Sequence, residues 1–221
     1  MLKKALLGMS LAAMSCFASA TLVVSESPIT GADMAGIQVT AFFGNGDSDT
    51  QTWSVLSTDD TVLYGEGYSG GVDGGDWLLT QQGYTIGNVN PDDGSILGLW
   101  TLTNVGIDSG IIGFAINALI ANVAFDTDSD AELTPNSGFG VSFVTPTANT
   151  SSIYTDLVNP LFSDLYGTLS VELDSQSPLE VGQELLFVAD TDTLQIPEPS
   201  GIALMFAGLM LGFSRIRRAK K

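Results

Sequence analysis

The heptapeptide Asp126-Thr127-Asp128-Ser129-Asp130-Ala131-Glu132 places a carboxylate at every second position over its first five residues. A loop with that alternation can turn several hard oxygen ligands toward one point, which is the coordination calcium takes. The spacing matches the first half of an EF-hand loop and then departs from it. Ala131 stands where the sharp turn needs Gly, and Ser137 stands where a bidentate Glu would close the shell. What remains is a calcium candidate made of Asp126, Asp128 and Asp130 with backbone carbonyls, set against the plainer reading of a solvated acidic turn after a strand. Asp190-x-Asp192 is a second short pair of the same kind.

Residue type excludes most other chemistry. Between Thr21 and Ile196 there is no Lys, Arg or His, and the chain's single cysteine is Cys16, near the N-terminus. That segment therefore has no Ser-His-Asp triad, no Ser-Lys dyad, no Schiff base, no N/S zinc site and no arginine clamp for phosphate. Two carboxylates at roughly 5–10 Å would suffice for a glycosidase, but in a segment this acidic some pair meets that distance by chance. No sugar-hydrolase signature surrounds any of them, so no enzymatic activity is expected.

The same segment carries every carboxylate of the chain except Glu198. It can make no internal side-chain salt bridge and must be held by apolar burial and backbone hydrogen bonds. Its mutual repulsion, once screened at 0.1 M salt, is on the order of a few kcal/mol. Such a field also repels nucleic acid and anionic lipid. Residues 21–195 are enough for one domain with its own core.

The elements that must position these side chains read as strands. Ile37, Val39, Ala41 and Phe43 alternate with Gln38, Thr40 and Phe42, and Gly44-Asn45-Gly46-Asp47 turns the chain into a strand over 50–57. Further strands are expected at 77–80, 96–103, 111–118, 121–125, 139–144, 167–173 and 184–189, about nine in all. The stretch 111–116 is apolar on both faces and predicts a central strand. Asn159, Pro160, the apolar Leu161, Phe162 and Leu165, and Gly167 predict one short helix with a cap at each end. Short strands without βα alternation predict an all-β fold, a single antiparallel β-sandwich or jelly roll. Gly75-Asp76-Trp77-Leu78-Leu79-Thr80 and Gly98-Leu99-Trp100-Thr101-Leu102-Thr103 share a Gly-x-Trp-x-Leu-Thr pattern. Paired strands presenting Trp to one core are the simpler account; a Trp platform for sugar rings is the alternative, with Trp53 as its third member.

The two ends of the chain carry the destination. Lys3 and Lys4 precede an apolar run over 5–13, and Ala18-Ser19-Ala20 supplies the small residues signal peptidase needs, so residues 1–20 read as a signal peptide cut after Ala20. Cys16 as an acylated residue would want a large aliphatic side chain where Ala13 stands. At the other end, Pro197-Glu198-Pro199 is followed by an apolar run over 201–213 and by Arg215, Arg217 and Arg218. Each proline holds the residue before it extended, which makes the tripeptide a stiff, strand-like substrate. The apolar helix would cover about 20 Å at 1.5 Å per residue, a short anchor behind a basic stop-transfer end. Basic residues outside both apolar runs place both ends in the cytoplasm and the domain between them across the membrane.

The tail over 196–221 resembles the PEP-CTERM sorting signal of Gram-negative bacteria. The resemblance implies a membrane precursor held briefly in the inner membrane. An exosortase-type membrane enzyme would read the Pro-Glu-Pro, and the product would go to the cell surface or an extracellular matrix of exopolysaccharide and biofilm. A carbohydrate- or calcium-binding module delivered by the same tail is the alternative. Ile29-Thr30-Gly31-Ala32-Asp33-Met34-Ala35-Gly36, Val39-Thr40 and Phe187-Val188-Ala189-Asp190-Thr191-Asp192 also resemble passages in a group of PEP-CTERM-tailed ectodomains, which implies a shared fold more than a shared chemistry.

Overall fold

The structure, a computed structural model, describes residues 23–24, 29–59, 67–85, 98–127, 140–147, 149–159 and 162–195. The chain divides into two units, Val24–Leu194 and the terminal segments Met1–Val23 with Gln195–Lys221. Of the terminal unit only Val23 and Gln195 are described. Ala18, Ala20, Pro197, Glu198, Pro199, Arg215, Arg217 and Arg218 lie outside the described residues, as do Asp128 and Asp130. Among the described residues no helix is long and apolar enough to cross a membrane.

The described domain is all-β. In chain order its strands are β1 (Val23–Val24), β2 (Gln38–Phe43), β3 (Ser48–Thr52), β4 (Ser54–Thr58), β5 (Tyr68–Asp73), β6 (Trp77–Gln82), β7 (Trp100–Asn104), β8 (Ile111–Asn117), β9 (Val123–Asp126), β10 (Thr150–Asn159), β11 (Phe162–Leu173), β12 (Glu184–Phe187) and β13 (Asp190–Gln195), with 3₁₀ turns at Gly31–Met34 and Leu119–Ala121. They form two sheets. One runs β12-β7-β6-β5-β4; the other, of eight strands, runs β1-β13-β9-β11-β8-β2-β3 with β10 against β11. The pairings among β2 to β13 are all antiparallel.

The alternating run at 37–43 behaves as its period requires. Val39 and Ala41 are fully buried and Phe42 faces out. The turn that follows is closed by Asn45, whose side-chain oxygen accepts the Asp47 amide at 2.9 Å, with Gly46 at φ +89°. Strand β8 is central, with β2 on one edge and β11 on the other, as its two-sided apolar character predicts. Strand β11 pairs β10 along one edge and shares its other edge between β8 and β9. The chain between β8 and β9 turns at Leu119–Ala121 and at Asn122, which has φ +56°. A strand has only two edges, so the sheet forks there: β2 and β3 continue from β8, and β13 continues from β9.

Several expectations need correction. No helix follows Asn159. Strand β10 runs through Asn159 and β11 begins at Phe162, with Leu165 paired to Asp126 and Tyr166 to Phe125. Pro160 and Leu161 lie outside the described residues. The long-range ladder outweighs the local helix signal, because it satisfies the backbone over the full length of a twelve-residue strand. The strand expected over 50–57 is two strands in different sheets, broken at Trp53. In place of a strand at 139–144, the described residues show only a bridge between Val144 and Val188. Among the described residues the strands number thirteen, because the 50–57 run is two strands and β1, β5, β10 and β13 fall outside the expected set.

One core fills the space between the sheets. Trp53, Trp77 and Trp100 are all at most 2% exposed, and Leu79, Leu102, Phe114, Ile116 and Phe187 are buried with them. Trp53 and Trp100 stand 5.3 Å apart, Trp100 stacks on Phe187 at 5.6 Å, and Phe187 meets Phe114 at 5.3 Å. Each indole N–H has an acceptor: the Gly31 carbonyl at 2.7 Å, Asp49 at 2.9 Å and the Ala189 carbonyl at 3.0 Å for Trp53, Trp77 and Trp100 respectively. Gly70 lies against the Gly31 carbonyl and the Trp53 indole nitrogen so closely that a Cβ there would overlap both. The two Gly-x-Trp-x-Leu-Thr copies are neighbouring strands, with Leu79 opposite Leu102.

Candidate functional site

Asp126 lies in β9 and is buried, as are Asp164 of β11 and Asp190 and Asp192 of β13; none of the four is more than 5% exposed. Pairing brings them together. Asp190 stands directly opposite Asp126, and Asp192 lies two residues further along β13, so all three project from one face. Ala124 stands opposite Asp192. Its small side chain leaves room for the Asp192 carboxyl to lean diagonally and hydrogen-bond Asp126. On the other edge of β9, Asp126 is paired with Leu165, the residue after Asp164. The Asp164 carbonyl accepts both the amide and the hydroxyl of Thr127, each at 3.0 Å, which fixes the end of β9 against β11.

Asp190 is the best-supported of the four. Its Oδ1 accepts the Thr85 hydroxyl at 2.9 Å and its neighbour's amide, Thr191 N–H, at 2.8 Å. Its own amide donates to the Val141 carbonyl at 2.9 Å. Burial pushes its carboxyl up to about 7, against the pull of the Thr85 and Thr191 hydrogen bonds and with a further push from Asp126. Asp192 goes higher, to about 9. Burial contributes most, then repulsion from Asp190 and Asp126, then the hydrogen bond with Asp126 and the charge of Asp164. Burial thus favours the protonated form of Asp192, which shares a side-chain hydrogen bond with Asp126. Its Oδ2 is buried without a hydrogen-bond partner among the described residues. Tyr154 of β10 also feels Asp190; burial chiefly drives its phenol up to about 12, and its oxygen accepts the Phe143 amide at 2.7 Å.

Burial favours the protonated forms of Asp190 and Asp192. The cluster's oxygens are shut off from solvent, so they do not meet a substrate, and no cationic side chain exists in the segment to neutralise them. Among the described residues no three His, Cys, Asp or Glu side chains are grouped to hold a metal ion. Of the calcium candidate, Asp126 points into the seam with Asp190 and Asp192. Asp126 and Asp190, 64 residues apart in the chain, thus meet at one place. Asp164 was not visible as a member from sequence. The signal that could have found it is slight: an aspartate between the apolar Leu161-Phe162 and Leu165.

A surface groove of about 540 Å³ lies across β2, β8 and β11. Phe42, Gly113 and Glu172 are in register there, so the Phe42 ring and the Glu172 carboxylate flank a position with no side chain, with Ser170 and Ser175 nearby. A Cβ on Gly113 would press on the Val171 carbonyl. Compared with known proteins, the chain matches no family model, no curated protein and no solved structure.

Proposed function

We propose that this chain is an exported protein of the bacterial surface or extracellular matrix, sorted through its C-terminal tail and cut there by an exosortase-type membrane enzyme. The observation that carries this reading is the order of Pro197-Glu198-Pro199, an apolar run over 201–213, and Arg215, Arg217 and Arg218, at the opposite end from a signal-peptide pattern ending in Ala18-Ser19-Ala20. Two prolines keep Glu198 extended for a cleaving enzyme, and the basic end stops transfer behind a helix too short to anchor well. The domain's role on this reading is structural, within an exopolysaccharide layer. An acidic, cysteine-free domain stays soluble and repels nucleic acid in such a setting.

The alternative, a carbohydrate-binding module on the same tail, loses its tryptophan platform, since Trp53, Trp77 and Trp100 are buried. It would use the Phe42–Glu172 groove instead. The sorting reading is tested by replacing Pro197, Glu198 and Pro199 together with Ala and determining the C-terminal mass of the protein recovered from its native culture. The variant is expected to be exported, folded and trapped uncut in the inner membrane. Recovery of the variant at the surface with the wild-type C-terminus would sink the reading.

A further inference from the structure

We propose that the outer face of the larger sheet, centred on the groove between Phe42 and Glu172, binds an uncharged polysaccharide. Strands β3, β2, β8, β11 and β10 lie side by side there, with Ala41, Phe114 and Val171 turned into the core and their neighbours turned out. Register sets Ser48, Phe42, Gly113, Glu172 and Ser151 in one row across the face, and Thr50, Thr40, Ala115, Ser170 and Ile153 in the next. Glu172 is the one carboxylate in these two rows, on a chain with 25 Asp and Glu and no cation between Thr21 and Ile196. Asp156 reaches the face only in the row after them, where it accepts the Thr168 hydroxyl at 2.7 Å. The sheet thus holds a nearly neutral window in an acidic surface.

The window has the chemistry of a sugar site. Neighbouring strands lie about 4.8 Å apart, so Phe42 and Glu172 stand on the order of 10 Å from each other with only Gly113 between them. A pyranose ring over Gly113 would set its C–H face against the Phe42 ring and its hydroxyls toward the Glu172 carboxylate and the Ser170 hydroxyl. Close approach of a ligand is one of the situations that puts glycine inside a strand. The groove's volume of about 540 Å³ falls within the roughly 300–1,000 Å³ of small-molecule sites. The second row prolongs the site with hydroxyls for further sugar units, among them Thr40 and Thr50, which already bond each other at 2.8 Å.

Charge selects the occupant. An acidic polymer or a nucleic acid is repelled by the carboxylates around the window, and a second copy of the chain brings the same charge. Nor do the two rows offer an apolar centre for a protein partner, since Phe42 and Ile153 are their only large apolar side chains. A neutral, hydroxyl-rich chain meets no such opposition. Such binding would hold the protein in an exopolysaccharide layer, a use that rests on the sorting reading. The binding itself does not, so the two fail separately, one by the C-terminal mass and the other by titration.

Isothermal titration of the full-length protein, in a detergent without a sugar headgroup, reads the face directly. The probes are neutral hexasaccharides of glucose, galactose and mannose, beside a hexamer of galacturonic acid and a hexamer of glucosamine. A neutral probe should bind saturably and the acidic one should not. Phe42→Ala and Glu172→Gln should each weaken that binding by about tenfold or more. Val55→Ala, at an exposed position on β4 of the other sheet, should leave it unchanged. The proposal is overturned if no neutral probe binds, if the acidic hexamer binds as tightly, or if the glucosamine hexamer alone binds, because general charge attraction would then account for it. It is equally overturned if either folded face variant binds like the wild type, or if Val55→Ala weakens binding as much as they do. Phe42 and Glu172 both face solvent, so both variants should melt as the wild type does. Should Phe42→Ala fail to fold, Glu172→Gln decides alone.

Discussion

Four residues of chain, Phe187 to Asp190, connect two regions that bury opposite chemistries. At one end Phe187 lies in a cluster with Trp53, Trp100 and Phe114, where every indole N–H has its acceptor. At the other, Asp190 enters a seam of four carboxylates with a buried oxygen left without a partner among the described residues. Ala189 belongs to both, since its carbonyl accepts the Trp100 N–H and the next residue faces Asp126. The aromatic side gains from burial at any pH. The acidic side tolerates burial only while protons are bound. Stability in this domain is therefore unconditional at one end of the crossing and conditional at the other.

The largest expected effect comes from the unconditional side. Trp100→Ala removes a fully buried side chain, two ring contacts and the partner of the Ala189 carbonyl, and should cost about 3–5 kcal/mol at any pH between 5 and 9. Denaturant melts would measure it, and a loss below about 1 kcal/mol would show the cluster is not the core's centre.

Next comes the pH dependence. In the fold Asp190 and Asp192 keep protons that the unfolded chain releases near pH 4, so the folded state binds more protons between that value and about 9. Their contribution is complete at acid pH and is lost as pH rises through about 7 and then about 9. A drop on the order of 2–4 kcal/mol between pH 5 and pH 9 is expected, opposite to ordinary acid denaturation. Asp192→Asn should flatten the alkaline part. A stability maximum above neutrality would contradict the seam.

Salt gives the smallest effect and separates buried from surface charge. The melting temperature should rise by a few degrees between about 10 mM and 500 mM NaCl, because the Debye length over which surface charges repel falls from roughly 30 Å to roughly 4 Å over that range. The pH dependence should survive at high salt, since the seam is shut off from solvent. A flat salt response would mean that the surface carboxylates cost the fold little. An extra gain with calcium over magnesium that Asp128→Ala abolishes would instead assign the loop of Asp126, Asp128 and Asp130 an ion.

Much of the fold was legible locally. The alternation at 37–43, the Asn-Gly turn, the two-sided apolar run at 111–116 and the twin Trp strands all appear where their periods put them, because burial of one face dictates them residue by residue. Strands β5, β10 and β13 were not legible. Tyr-Ser-Gly-Gly-Val-Asp and Asp-Thr-Asp-Thr-Leu-Gln have no strand propensity to advertise, and only a neighbour's ladder makes them strands. The helix signal after Asn159 failed for the same reason in reverse.

By itself the sequence determined the charge problem: a segment with carboxylates and no cation, which rules out side-chain salt bridges within it before any fold is known. It also determined that the core would be aromatic and aliphatic, since nothing else was available to bury. Only the tertiary structure decided which carboxylates are buried. Asp126 and Asp190 look like two separate acidic turns until β9 and β13 pair and set one opposite the other. That pairing is a non-local event fixed by backbone hydrogen bonding between distant segments, and no local pattern of residues encodes it.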